Sequence, residues 1–176
     1  MTSRRLILRQ TRVEDAAALH QAYRDVDLMR WWSCAPHADL AETIAYLTPW
    51  VVNPTWRGWT ITLAADERVI GTLAATERRA GVSEIGYLLV RSAWGQGYAR
   101  EAVARLLDRL IHEEGMRRIC ADVDPDNAAS IALLEDLGFR REGVLRDEWE
   151  THIGVRDSLI LGLVAAEWTG GRARSS

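Results

Sequence analysis

The sequence lacks the features that would place it in several large classes. Its two cysteines, Cys34 and Cys120, are too few for a disulfide framework. Neither has a second Cys or a His at zinc-ligand spacing, so both read as buried free thiols. The four histidines, at 20, 37, 112 and 152, are scattered, and no metal is expected. With only 4 prolines and no internal repeat, neither a fibrous nor a disordered chain is indicated. Apolar runs such as Leu159 to Ala166 fall far short of the roughly 20 residues that span a bilayer. Leu6-Ile7-Leu8 before Arg9 is too short for a signal-peptide apolar region. A cytoplasmic protein with no membrane partner is therefore expected. There is no excess of positive charge either. A net charge of -3 and a pI near 5.8 give no broad reason to bind nucleic acid, whose phosphates demand clustered Lys and Arg.

What is present suits one globular core: 176 residues, 48% hydrophobic and 27% charged, long enough to bury about two-thirds of the unfolded surface. Arg4 to Gln10 alternates polar and apolar and reads as a strand. Thr11-Arg12-Val13-Glu14 matches a capping box opening a helix to about Val26. A second helix over Asp39–Val52 ends at Asn53-Pro54. Strands follow at Trp59–Ala65, Val69–Thr76 and Glu84–Val90, the first two joined by a short turn at Asp66-Glu67-Arg68. The pattern then predicts a helix from Gly97 to about Glu114, a strand over Arg118–Val123, a helix over Ala128–Leu137, and strands near Arg140–Trp149 and Val155–Val164. The class is α+β with a mostly antiparallel sheet. Residues 1–168 are expected to form one domain. The small and polar tail 169–176 offers nothing large to dock and is expected to fray.

The chemistry concentrates in Glu84-Ile85-Gly86-Tyr87-Leu88-Leu89-Val90 and the following Arg91-Ser92-Ala93-Trp94-Gly95-Gln96-Gly97-Tyr98-Ala99-Arg100. This is a strand, a glycine turn and a helix start. Backbone N–H groups of such a turn, with the positive end of the helix, suit phosphate oxygens, and glycines at 95 and 97 let them approach the main chain. The same glycines would also serve a tight turn with no ligand. Neither a Gly-Lys-Ser/Thr nor a three-glycine dinucleotide fingerprint is present, which counts against a nucleotide triphosphatase and a Rossmann dehydrogenase. The helix carries Ala99, Ala102, Val103, Leu106, Leu107, Leu110 and Ile111 on one face, with Glu101 and Arg105 as an expected i,i+4 pair.

The turn resembles the acetyl-CoA motif Q/R-x-x-G-x-G/A of the GCN5-related acetyltransferases, with Gly97-Tyr98-Ala99 as its G-x-A and Trp94 where Gln or Arg is common. An aromatic there is similar to the ribosomal-protein N-terminal acetyltransferase (RimJ/RimL-like) branch. Asn127-Ala128-Ala129-Ser130, followed by Leu137-Gly138-Phe139, resembles a second block of that family, and Gly154-Val155-Arg156-Asp157 a third. Asn127 is in addition a natural N-cap, and Gly138 a natural helix stop.

The resemblance implies a seven-stranded mixed sheet with helices on both faces and strands four and five splayed around the pantetheine arm. Acetyl-CoA would be the co-substrate, with no metal. Cofactor contacts would fall on Leu88, Leu89, Val90, Gly95, Gln96, Gly97, Tyr98, Ala99, Arg100 and Asn127, with an amide near Val90 facing the thioester oxygen. The implied reaction is direct attack of a neutral amine on the thioester, through an oxyanion held by backbone donors. An α-amine of pKa near 7.7–8.0 is easier to deprotonate than a lysine near 10.4, which favours a protein N-terminus as acceptor. A small molecule (polyamine, amino acid or aminoglycoside) is the alternative, with Asp25, Asp27, Asp39 and Glu42 as its acidic candidates. A binding module that senses acetyl-CoA without catalysis is a third reading.

Glu84 matches the family's base, and otherwise reads as a solvent-facing carboxylate at a strand edge. The tyrosine that often protonates the thiolate falls on Leu134. Ser130, one turn earlier, could hydrogen-bond the sulfur or simply satisfy its own helix backbone. Among eight tryptophans, Trp31-Trp32, Trp50, Trp56 and Trp59 gather near the second helical region, and Trp31 and Trp32 are the candidates to line the acceptor groove. Homodimers are frequent among similar proteins.

Overall fold

Alternation of apolar residues in Leu6–Gln10 (β1) buries Leu6 and Leu8 almost completely, while Arg57–Leu63 (β2) is buried on nearly every residue and so must lie inside a sheet. The computed structural model describes residues 1, 3–53 and 56–170 and shows a single seven-stranded sheet. Its remaining strands are Val69–Arg79 (β3), Val82–Leu89 (β4), Arg118–Val123 (β5), Arg140–Thr151 (β6) and Gly154–Val164 (β7). Their spatial order is β1-β2-β3-β4-β5-β7-β6. Every pairing is antiparallel except β4 with β5. The expected α+β class with a mostly antiparallel mixed sheet is what the chain forms.

Helices Ala16–Tyr23 (α1), Val26–Met29 (α2) and Leu40–Val52 (α3) precede β2. Tyr98–Asp108 (α4) links β4 to β5, and Ala128–Asp136 (α5) follows β5. Neighbouring residues of a strand point to opposite faces, which fixes the layers. Thr60 donates to Asp15 beside α1, at 2.7 Å, while the ring of Trp59 lies under the Arg109 guanidinium just past α4, at 5.4 Å. So α1 covers one face and α4 the other. On the α4 face Ala102, Val103, Leu106, Leu107 and Leu110 have no exposed surface. Burial of one such leucine contributes about 1.5–3 kcal/mol.

Several local expectations are corrected. The first helical segment breaks in two, because Asp25 turns its carboxylate back to the Leu28 N–H and starts α2 afresh. Thr11 is not a cap. A short 3-10 turn opens at Val13, and it is Asp15, not Glu14, that reaches back to the Arg12 N–H at 2.9 Å. Glu101 pairs not with Arg105 but with Arg5 of the first strand's approach, at 2.6 Å, and Arg105 turns to Asp108. Helix α4 gives way to a π-helical turn at Arg109–Glu113. Trp59 does not join the tryptophans near α3, since it lies on the α4 face. Pro54, expected to stop α3, and tail residues 171–176 lie outside the described residues.

Candidate active site

Strand β4 pairs with β5 at only three positions, Val82↔Arg118, Ser83↔Ile119 and Glu84↔Cys120. Beyond them β4 continues along β3 to Leu89, and β5 continues along β7 to Val123. The two strands therefore part at Glu84. Five residues of β4, from Ile85 to Leu89, form one wall of a wedge about 16 Å long at the usual rise of a strand. Each wall keeps its own neighbour, so the wedge is a built feature of the sheet.

Strand backbone groups alternate between the two edges. Val90 sends its N–H to the Ile70 carbonyl at 2.9 Å, and Leu88, two residues back, points the same way. Leu89 and Tyr87 point into the wedge. The Val90 amide itself is therefore turned away, and the wedge-facing amides nearest to it belong to Leu89 and Tyr87. The Leu89 carbonyl already accepts from the Trp94 indole N–H, at 2.9 Å. Trp94, which replaces the more usual Gln or Arg, thus ties the turn to the wall it follows. The Arg91 guanidinium covers the Trp94 ring at 5.0 Å.

The wall ends in a 3-10 turn, Arg91–Ala93, and a loop through Gly95 and Gly97 into α4. Gly95 and Gly97 have φ of +72° and +75°, a left-handed conformation that costs other residues about 1–2 kcal/mol. Gly97 is the N-cap of α4, and no side chain caps that helix end. The first amides of a helix have no partner within it, so those of Tyr98 and Ala99 are directed outward at the positive end of the helix. Arg5, which sequence reasoning did not single out, braces this loop. It donates to the Gln96 carbonyl at 3.0 Å and lies over the Tyr98 ring at 4.8 Å. The Gln96 side chain donates to the Ser92 carbonyl, and Arg100 pairs with Asp136, tying α4 to α5. A wedge leading to a cradle of open amides fits an elongated thioester with a pyrophosphate at its far end.

Glu84 and Cys120 mark the apex of the wedge. By register with Thr76 and Cys120, and by alternation with Leu88 opposite Thr72, Glu84 points to the α1 face. It is half-buried. Burial lifts its carboxyl above the ordinary range, Arg78 at 3.1 Å pulls it back, and the nearby Asp122 charge adds to the rise. Asp122 is held by the Trp149 indole N–H at 2.9 Å and by the Ser158 hydroxyl. Burial would also lift Asp124, but Arg156 at 2.8 Å holds it below its usual value, and Arg30 is close enough to contribute. Arg156 reaches Asp126 as well and so pins the loop that leads into α5. The Cys120 thiol is raised by burial and by Glu84.

On the other face stands Ser130. Asn127 caps α5, its Oδ1 accepting from the Ser130 N–H at 3.2 Å. The Ser130 hydroxyl does not turn to its own helix. It meets the Tyr87 hydroxyl at 2.7 Å, a partner the sequence reading missed because β4 and α5 are far apart in the chain. Leu134 is fully buried in the core.

The acidic candidates Asp25, Asp27, Asp39 and Glu42 form no pocket. Asp25 and Asp27 bind Arg91, Asp39 caps α3, and Glu42 accepts from the Ala38 N–H. With Asp25 on Arg91 and Arg30 near Asp124, α2 and the following Trp31 run across the α1-side mouth of the wedge. The Trp31 ring lies under Arg30 at 4.6 Å, and Trp32 packs half-buried against the core. A cavity of about 520 Å³ on the β1–β2 edge, lined by Arg9, Arg57 and Arg109 among others, is separate from the wedge. Those arginines are already paired with Asp15 and Glu114. Among the described residues, no His/Cys/Asp/Glu group has metal-site geometry, and no helix is long and apolar enough to cross a membrane.

Comparison with known proteins follows the same lines. The family model described as "Acetyltransferase (GNAT) domain" matches residues 5–140. A Bacillus licheniformis protein named "Uncharacterized N-acetyltransferase p20" is 32% identical over 171 residues, 94% of this chain and 96% of that protein. The [ribosomal protein uS5]-alanine N-acetyltransferase of Escherichia coli is 31% identical over 88 residues, 50% of this chain and 45% of that enzyme. The crystal structure of spermidine N-acetyltransferase from Vibrio cholerae with CoA and spermine superposes with a TM-score of 0.80 at 21% identity, over 92% of this chain and 96% of that one.

Proposed function

The chain belongs to the GNAT acetyltransferase family, and we propose that it transfers the acetyl group of acetyl-CoA to an α-amine at a protein N-terminus. The observation that carries this reading is the wedge itself, with Glu84 at its apex on one face and the Gly95–Ala99 cradle at its far end. The amides of Tyr98 and Ala99 bind pyrophosphate oxygens, and Asn127 and the main chain of Tyr87 and Leu89 hold the pantetheine arm. Residues 1–168 act as one domain in this reading.

The acceptor amine enters from the α1 face, past Trp31 and Trp32. The amine attacks in its neutral form. As its nitrogen bonds to the thioester carbon, Glu84, directly or through water, takes the one proton the nitrogen sheds, while the carbon–sulfur bond breaks and its electron pair leaves with sulfur. Of the Tyr87 and Leu89 amides, that of Tyr87 lies nearer both Glu84 and Ser130 and meets the negative charge developing on the carbonyl oxygen. Ser130 offers its hydroxyl to the departing sulfur, whose thiol, with a pKa near 8.5, needs no strong acid.

The charges around the apex favour an α-amine over a polyamine. A polycation needs several carboxylates free to pair with it, whereas Asp124 is already paired with Arg156 and Glu84 with Arg78. Burial strengthens Glu84 as a base and Arg78 holds back part of that rise, which suits an amine already partly neutral near pH 7. The likeness to the uS5-alanine enzyme supports the same acceptor class, while the spermidine enzyme shares the fold.

The test is thiol release from acetyl-CoA with peptides beginning in Ala or Ser, with N-terminally blocked lysine peptides, and with spermidine. The chain contains no lysine, so release cannot arise from lysines of the enzyme itself. Turnover with free α-amines only is expected. Turnover with spermidine and not with the peptides would replace the acceptor, and cofactor binding without any turnover would favour a sensor.

A further inference from the structure

The Tyr87–Ser130 contact ties the β4 wall of the wedge to α5, the helix that follows β5, on the α4 face. Tyr87 stands on β4 three residues past the last β5 pair, and Ser130 in the first turn of α5, just beyond the end of β5. The phenol and hydroxyl oxygens are 2.7 Å apart. Among the described residues the other acceptor near the phenol is the Ser130 carbonyl, at 3.5 Å, the outer limit for a hydrogen bond. A phenol is a far stronger acid than an alkyl alcohol, so the proton between the two oxygens belongs to Tyr87. The Ser130 oxygen then accepts from the phenol, and its single proton is left to point elsewhere.

We propose that Tyr87 is a positioning residue: by donating to the Ser130 hydroxyl oxygen, it turns the Ser130 proton into the wedge to meet the departing sulfur. This rests on the acetyl-transfer reading above. No proton leaves the pair. As the carbon–sulfur bond breaks, the thiolate accepts a hydrogen bond from Ser130, and the amine proton goes to Glu84. Burial pushes the Tyr87 phenol up to about 12, against a pull from Ser130, so it stays a neutral donor throughout the working range. The hydroxyl that Leu134, fully buried on α5, cannot supply thus comes from Ser130 one turn earlier, oriented by Tyr87 from β4.

Tyr87→Phe removes one oxygen and keeps the ring. The experiment compares the wild type with Tyr87→Phe, Ser130→Ala and the double variant in two measurements. The first is kcat and KM for acetyl-CoA with the best acceptor. The second needs no acceptor: free CoA is bound to each protein and its thiol titrated through the ultraviolet absorbance of the thiolate. Loss of a hydrogen bond to a charged group predicts a fall in kcat of about tenfold or more for either single variant. KM should move by less than about twofold. The bound thiol should titrate about one unit higher in each, and the double variant should match the singles, because both act on one proton.

A Tyr87→Phe protein with wild-type kcat and thiol titration, beside an altered Ser130→Ala, would overturn the proposal, as would losses that multiply in the double variant. Equal melting temperatures for all four proteins separate positioning from damage to the fold. If no amine is acetylated but bound CoA titrates as described, the acceptor reading fails and the Tyr87–Ser130 pairing stands. If the wild type does not bind CoA, both fail.

Discussion

Gly71 lies on β3, outside every motif, yet it bears directly on the wedge. A Cβ built there would sit 2.3 Å from the Leu88 carbonyl oxygen and 3.0 Å from the Leu89 Cα. Carbon–oxygen contacts settle near 3.3 Å or more, so Gly71→Ala must push β4 away by about 1 Å. The obstacle is main chain and cannot rotate aside. Displacement of that size spoils the ladder bonds on either side of Gly71, including the one from the Val90 N–H to Ile70. At about 0.5–1.5 kcal/mol each, two such bonds amount to about 1–3 kcal/mol. For a chain of this length, about 2 kcal/mol corresponds to a melting temperature lower by about 4–8 °C. If the wall of Leu88 and Leu89 receives acetyl-CoA as proposed, KM for acetyl-CoA should rise by about threefold or more, with a smaller change in kcat. Calorimetry and initial-rate kinetics on the purified variant measure both quantities. A melting temperature within about 1 °C of wild type together with an unchanged KM would show that the wall does not depend on this close approach.

Glu84→Gln should lower turnover at neutral pH by about 10²–10³-fold. In the wild type, activity should fall as pH drops through a Glu84 pKa lying above the ordinary carboxylate range, and the Gln variant should lack that acid limb in a pH–rate profile. Asp15 has the opposite sign. Burial alone would raise it, but Arg9, the Arg12 N–H and Thr60 together hold it low. Its contribution to stability is therefore present above the unfolded-state value and lost as pH falls through the lower folded value. Asp15→Asn should cost about 2–3 kcal/mol at pH 7, a gap that urea titrations should show closing under acid conditions. Gly97→Ala meets nothing closer than Arg5 Nη2 at 3.6 Å, so its cost is the left-handed backbone alone, about 1–2 kcal/mol. Calorimetric titration should show CoA binding weakened, with the fold intact.

Much of this was legible from local pattern. The fifth strand, Arg118–Val123, coincides with its expected bounds, because strict alternation between two helices leaves little choice of register. The glycine loop and the Asn127 cap carry their chemistry within a few consecutive residues, and so does the α+β order of elements. Where side chains compete for partners, local reasoning went astray. Glu101 had Arg105 one helical turn away, yet Arg5 approaches from the first strand and takes it. Asp25 and Asp27, candidates for an acidic acceptor pocket under the small-molecule alternative, pair with Arg91.

The sequence by itself determined the elements, their order and the glycine turn, because helix and strand periodicity, capping and glycine conformations depend on neighbours in the chain. Only the tertiary structure decided which amides of β4 open toward the wedge, that Glu84 and Ser130 lie on opposite faces of the sheet, and that Tyr87 reaches Ser130. Those facts depend on strand register. A shift of one residue would reverse every side chain and every amide of β4, and register is set by pairings between segments that no local pattern connects.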